Sequence, residues 1–219
     1  MVVEARRARE RAQRHQLIIQ TARALAEADG WDAVTTRRLA EAIEYSQPVL
    51  YSHFASKDAI VAGVAVQGFI ELAEQLRQAR SSAVEQQHVL AEVAQAYLDF
   101  GFANPALYDA MFTLHTGLPF GQAEVPPPVH AGFEELRAAV APLAGDRHLD
   151  TFTELFWSTL HGLVTLTRAG RLRQSQAGLR LPMLVAQFQA PPHPLTGGAT
   201  PKPRASRTRS GSSNDSTRR

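Results

Sequence analysis

Apolar side chains recur at helical spacing along most of this chain. From Arg11 to Ala28 they fall at Leu17, Ile18, Thr21, Ala22, Leu25 and Ala28, one stripe of a helix that Asp29-Gly30 stops. Thr35 then predicts the cap of a short helix to Ala42, Ser46 that of a third to about His53, and Ser56 that of a fourth over about 57–79. The two short helices lie only about three residues apart, which forces a steep crossing and matches helix-turn-helix spacing. Further helices are expected over 82–103, 105–116, 127–144, 148–170 and 176–190, broken at Asn104-Pro105, Gly117 to Pro128, Gly145 and Gly170. No strand-like alternation competes, so the fold class is all-α.

The pattern divides the chain into a basic N-terminal arm (1–14), a three-helix helix-turn-helix unit (11–60) and a larger helical unit (61–190). Residues 191–219 turn to Pro, Gly, Ser, Thr and Arg with little to bury, and are expected to form a disordered basic tail. The 219 residues include no cysteine, which removes disulfides and thiolate metal sites. No apolar run approaches the roughly 20 residues of a membrane span, and no signal-peptide pattern follows the Arg-rich start; a cytoplasmic protein is expected. The net charge of +2 hides an uneven distribution. Arg6, Arg7, Arg9, Arg11 and Arg14 crowd the start, and Lys202, Arg204, Arg207, Arg209, Arg218 and Arg219 the end, whereas about 61–190 is mildly acidic. Such ends either meet phosphate or are solvated tails.

Within Thr35 to Asp58, the residues Leu39, Ala40, Ile43, Leu50 and Phe54 fall where a three-helix core needs them. Ser46 opens the third helix with free backbone N–H groups, and Pro48 sits in its first turn, where a missing donor costs little. Gln47, Pro48, Val49, Ser52 and His53 face outward, able to reach base edges and thymine methyls in a major groove. The run LAEAIEYSQPVLYSHFASKDAI resembles the signature of TetR-family transcriptional regulators, and the likeness extends over about Arg11 to Ile60. It implies a DNA-reading head in which Thr36, Tyr51, His53 and Lys57 contact phosphates and Gln47, Pro48, Val49 and Ser52 lie toward bases. Thr35, Arg37 and Ser46 complete the candidate DNA-binding set. Where that family usually has Gly and Val in the turn, this chain has Glu44 and Tyr45; a left-handed Glu44 would cost on the order of 1 kcal/mol relative to glycine.

The helix expected from His148 is apolar around most of its circumference, through Leu149, Phe152, Leu155, Phe156, Trp157, Leu160, Leu163, Val164 and Leu166. It needs cover on more than one side, which a second copy supplies through a two-fold contact. Leu160, Gly162, Leu163, Leu181, Leu184 and Phe188 are the candidate dimer residues. The run FWSTLHGLVTLTRAGRL also resembles the subgroup with a Trp, His and Gly signature, here Trp157, His161 and Gly162. Thr151, Glu154, Ser158, His161, Thr165 and Arg168 form a polar stripe that faces water, the partner or a pocket. Tyr97, Phe100, Phe102, Tyr108, Met111, Phe112, His115, Phe152, Trp157 and His161 are the candidate lining of an effector pocket, or simply core.

Enzyme motifs are missing: no phosphate loop, no Gly-x-Ser-x-Gly, no His-Glu-x-x-His. Neither catalysis nor a cofactor is expected. A metal-responsive variant would need His115, His130, His148 and His161 to meet in space, although no two have ligand-pair spacing on one helix. The expected partners are palindromic double-stranded DNA, a second copy and an unidentified small-molecule effector, with no membrane. A helical adaptor or a nonspecific DNA binder is the competing reading.

Overall fold

The computed structural model describes residues 1–118 and 126–191, and every regular element among them is helical. The α-helices are α1 (Val2–Asp29), α2 (Thr36–Ala42), α3 (Gln47–His53), α4 (Lys57–Ser82), α5 (Val89–Ala103), α6 (Pro105–Phe112), α7 (Pro127–Val140), α8 (Leu149–Arg168) and α9 (Ala177–Gln189). The expected disordered tail lies outside the described residues, apart from its first position.

Thr35 and Ser56 cap as expected: the Thr35 hydroxyl accepts from the Arg38 N–H and the Ser56 hydroxyl from the Ala59 N–H, each at 3.1 Å. Ser46 stands at the N-cap of α3, but its side chain accepts no backbone bond. Several boundaries differ from the sequence pattern, among them the end of α6, at Phe112 rather than 116. α1 starts at Val2, so the basic arm continues the first helix. The expected 82–103 helix splits, because the Ser81 and Ser82 hydroxyls turn back to the carbonyls of Arg77 and Ala79 and Val84 is fully exposed, with nothing to hold another turn. α7 stops at Val140 because Pro142, lacking an N–H, tightens the next turn into a 3-10 helix over Ala141–Leu143.

α4 is the axis of the molecule. It packs on α1 at the head end and on α5, α6 and α7 along the larger unit. Contrary to the sequence expectation of no span-length run, α4 is long and apolar enough to cross a bilayer by length and composition alone, but half of its most apolar stretch is buried here, through Ile60, Val61, Val64, Ala65, Phe69, Leu72 and Leu76. Two glycines permit close approach: a Cβ on Gly68 would lie 2.8 Å from Leu107 Cδ1 of α6, and one on Gly101 would lie 2.8 Å from Val164 Cγ1 of α8. Gly162, expected to serve that purpose, has nothing within 4 Å of where its Cβ would stand.

Candidate functional site

Around the short helices, Ile18, Ala22, Leu39, Ala40, Ile43, Leu50 and Phe54 are all buried and lock α2 and α3 onto α1. The connection between them is a left-handed C-terminal cap. The Tyr45 N–H donates to the Ala40 carbonyl at 3.0 Å and the Glu44 N–H to the Glu41 carbonyl at 3.3 Å, with Glu44 at φ 58°. The two bonds hold a residue without glycine's freedom in the left-handed region, and the Glu44 side chain is exposed in the turn before α3.

α3 presents Gln47, Pro48 and Ser52 to solvent, with Val49 half-buried and Tyr51 53% exposed. Thr35 is spent on capping, Thr36 is half-buried and Arg37 pairs with Glu41 at 2.9 Å on the surface. Two expected phosphate ligands are differently placed. Lys57 Nζ donates to the Trp31 carbonyl at 2.8 Å, so its ammonium is engaged inside the protein. His53 turns toward α1: its Nδ1 is buried without a partner, its ring centroid lies 6.4 Å from that of His15, and burial, then Arg11, His15 and Arg14, hold its pKa below the ordinary histidine value. Arg11, absent from the candidate set, donates to the Ser52 carbonyl at 3.1 Å, and His15 stacks on Phe54 at 4.4 Å.

In the larger unit, five candidate pocket residues do come together. The Trp157 indole N–H donates to the Tyr97 hydroxyl at 2.9 Å; that hydroxyl lies 2.9 Å from the Tyr108 hydroxyl, which lies 2.7 Å from His161 Nδ1. Phe112 packs between them, its centroid 4.7 Å from Tyr108, 6.0 Å from Trp157 and 5.3 Å from His161. An indole N–H can only donate, so one proton arrangement satisfies the whole chain. Tyr97 donates to Tyr108, Tyr108 donates to Nδ1, and His161 is neutral with its proton on Nε2. Burial holds both phenols far above the usual tyrosine pKa and lowers that of His161.

The other pocket candidates separate from this relay. Phe152 packs instead on Phe188 at 5.2 Å under the Arg147 guanidinium, and His115 is exposed. Phe100 and Met111 are buried core, and Phe102 is 44% exposed on α5. The polar stripe of α8 also divides: Thr151, Glu154 and Ser158 meet solvent, His161 turns to Tyr108, and Arg168 binds Asp109 at 2.9 Å. Among the described residues the four histidines of the metal alternative are apart. His130 faces Glu134 at 3.4 Å, His148 caps α8 through Thr151, and no group of three metal-ligating side chains forms. Three candidate dimer residues are interior to the protomer: Leu160 is 0% exposed, and Leu184 and Phe188 are also buried. Leu163 and Leu181 are half-buried, and the outward apolar stripes run through Leu155 and Leu166 on α8 and Leu179 and Met183 on α9.

Comparison with known proteins places this architecture. Residues 18–64 match the family model for bacterial regulatory proteins of the tetR family, and residues 90–181 match that of the tetracyclin repressor-like C-terminal domain, together more than half of the chain. The chain belongs to the TetR family. It is 30% identical over 95 residues to the uncharacterized HTH-type transcriptional regulator YobS of Bacillus subtilis (strain 168), a match that covers 43% of this chain and about half (49%) of YobS. Among solved structures, a protein of unknown function from Rhodococcus sp. RHA1 superposes with a TM-score of 0.66 at 24% identity, covering 80% of this chain and 93% of that one. RolR in complex with resorcinol superposes with a TM-score of 0.59 at 15% identity, covering 83% and 88%.

One contact set of this TetR-family chain has no local signature in its sequence. The Glu27 carboxylate accepts the N–H groups of Ala106 and Leu107 at 3.0 and 2.9 Å, and the Trp31 indole donates to the Ala106 carbonyl at 2.8 Å. Glu27 thereby does for α6 what its N-cap residue does not. The Asn104 amide oxygen accepts from Arg23 at 2.8 Å and its nitrogen donates to the Phe100 carbonyl at 3.0 Å. The same Arg23 grips both oxygens of Glu71 on α4 at 2.8 Å. α1 therefore holds α6 and α4 together where the two units meet. These partners are some 50 to 80 positions apart in the chain, and no periodicity reports such pairs.

Proposed function

We propose that this TetR-family protein is a homodimeric, sequence-specific DNA-binding regulator of transcription, a repressor that a small-molecule effector releases from a palindromic operator. The observation that carries the reading is the outer face of α3. Gln47, Pro48 and Ser52 are exposed on a helix whose inner residue, Leu50, is locked into a three-helix core, so the face enters a major groove as a rigid unit. Gln47 and Ser52 suit base edges, Pro48 and Val49 suit thymine methyls, and Thr36 and Tyr51 suit the flanking phosphates. The name YobS carries, a helix-turn-helix regulator, is in line with this. A cytoplasmic location follows from DNA as the partner.

The outward stripes of α8 and α9 suit a two-fold contact with a second copy, which sets the two reading heads on one face of the duplex. The effector is taken in the larger unit beside Phe112, Trp157 and His161, the Trp, His and Gly subgroup signature supplying two of these; RolR, of the same fold, was solved with the small aromatic resorcinol. Tyr108 and Phe112 lie on α6, and α6 is bonded to Glu27 and Trp31 at the base of the head, so an effector that favours one placement of α6 biases the placement of α3. Only differential affinity for the two placements drives the switch.

A titration against DNA upstream of the protein's own gene, at two salt concentrations with random-sequence competitor, tests the reading. Competitor-resistant binding by a dimer is expected. Binding that the competitor abolishes would leave a nonspecific DNA binder or a helical adaptor.

A further inference from the structure

Among the described residues, the first four turns of α1 bury no side chain and touch the body only near their end, through Arg11, His15 and Gln16. From Val3 to Leu17 every side chain is exposed or half-buried, and the first buried residue is Ile18. At 3.6 residues per turn, Arg7, Arg11 and Arg14 fall within a sector of roughly 60°, which widens to roughly 80° with the buried Ile18 and Ala22 further along. The sector therefore continues the side of α1 that enters the buried core. One contact fixes the register: Arg11 Nη2 lies 3.1 Å from the carbonyl of Ser52 at the end of the reading helix. Arg7 stands one turn further toward the N-terminus, exposed and with no ion pair or hydrogen bond. Arg14 is only loosely paired, 3.9 Å from Glu10, whose other oxygen takes Arg6 at 2.8 Å. Arg9 points roughly 160° away from Arg11 and is also unpaired.

We infer that the projecting part of α1 is a second DNA-contacting element, in which Arg7, Arg11 and Arg14 lie along the phosphates of duplex outside the bases read by α3. This rests on the DNA-binding reading above and extends it from the reading helix to the flanking backbone. Three observations carry it. Arg11 joins the stripe to the end of α3 through its bond to the Ser52 carbonyl. Its charge is complementary to phosphate and is left unneutralised at Arg7. The helix segment that bears it has no apolar face to bury elsewhere, since positions 4 to 16 hold only Ala among apolar residues. Backbone contacts of this kind supply affinity and salt dependence without base preference.

The experiment uses the full chain and a duplex that it selects from a random pool, prepared in two lengths: trimmed to the selected bases, and extended by about one helical turn on each side. Affinity is measured from low to moderate salt for the wild type, Arg7→Ala and Arg9→Ala. Arg7→Ala removes a side chain with no partner, so the fold is untouched, and Arg9→Ala removes the same charge from the opposite side. On the long duplex, Arg7→Ala is expected to lower the slope of log affinity against log salt by about one per protomer, while Arg9→Ala leaves it unchanged. On the trimmed duplex all three proteins are expected to bind with one slope, and the selected bases are the same for each. Equal slopes for Arg7→Ala and wild type on the long duplex, or equal losses from Arg7→Ala and Arg9→Ala, would overturn the inference while leaving the DNA-binding reading intact. If the wild type selects no sequence at all, the DNA-binding reading itself fails and the inference with it.

Discussion

Replacing Glu27 by alanine isolates the joint between head and larger unit. In the native protein its half-buried carboxylate accepts two backbone N–H groups in the first turn of α6. Hydrogen bonds to a charged group are worth about 1.5–3 kcal/mol each, but two bonds to one carboxylate share its desolvation, and water can reach part of the site. The lost helix-dipole interaction is worth a few tenths more. Leu107 is 0% exposed, so its N–H finds no water in the variant, whereas Ala106 is close enough to the surface to recover part of its loss. The sum is about 2–3 kcal/mol, which for a chain of this size lowers Tm by about 5–10 °C. Urea unfolding of Glu27→Ala checks the total, and amide exchange at Ala106 and Leu107 checks the place: both should exchange faster while amides at the centre of α4 keep their order relative to global unfolding. Glu27→Gln, which keeps one acceptor oxygen, should recover about half the loss. Stability within about 0.5 kcal/mol of wild type with unchanged exchange at those amides would refute the reasoning, because it would mean that Asn104 or water caps α6 in solution.

Two further outcomes follow from the relay and the outward stripes. Burial lowers the pKa of His161, so the folded state binds fewer protons than the unfolded one; stability is complete above a pH of about 6.5 and is lost as pH falls below it. Urea midpoints measured from pH 8 to 5 should therefore fall, and His161→Gln should flatten part of that fall; identical profiles would show that the relay does not hold a neutral imidazole. Leu160→Glu places a carboxylate at a fully buried position and should unfold the protomer, costing several kcal/mol, whereas Met183→Glu, at a side chain 70% exposed, should keep the helical circular dichroism and dissociate the dimer in sedimentation. A folded Leu160→Glu monomer would contradict the burial assigned to it.

Much of the head was legible in the chain alone, because its information is local. Thr35 and Ser56 announce helix starts through bonds to residues three positions on, the buried set from Leu39 to Phe54 follows helical period, and the left-handed Glu44 sits where the turn requires a φ that side chains resist. The all-α class followed from the same period. What the period could not decide is which side of a helix that is apolar all round meets which neighbour. Leu160 and Leu166 look equivalent along α8, yet Leu160 is buried in the protomer and Leu166 is 45% exposed. The difference is set by where α5 and α7 pack against α8. Likewise, Tyr97, Tyr108, Trp157 and His161 read as scattered core aromatics until three helices bring their polar atoms within 3 Å of one another. Glu27 reads as one more surface acid, and becomes the cap of a helix far along the chain only because α1 and α6 meet. Sequence period determines which residues leave water; only tertiary packing decides which polar groups, having left it, satisfy one another.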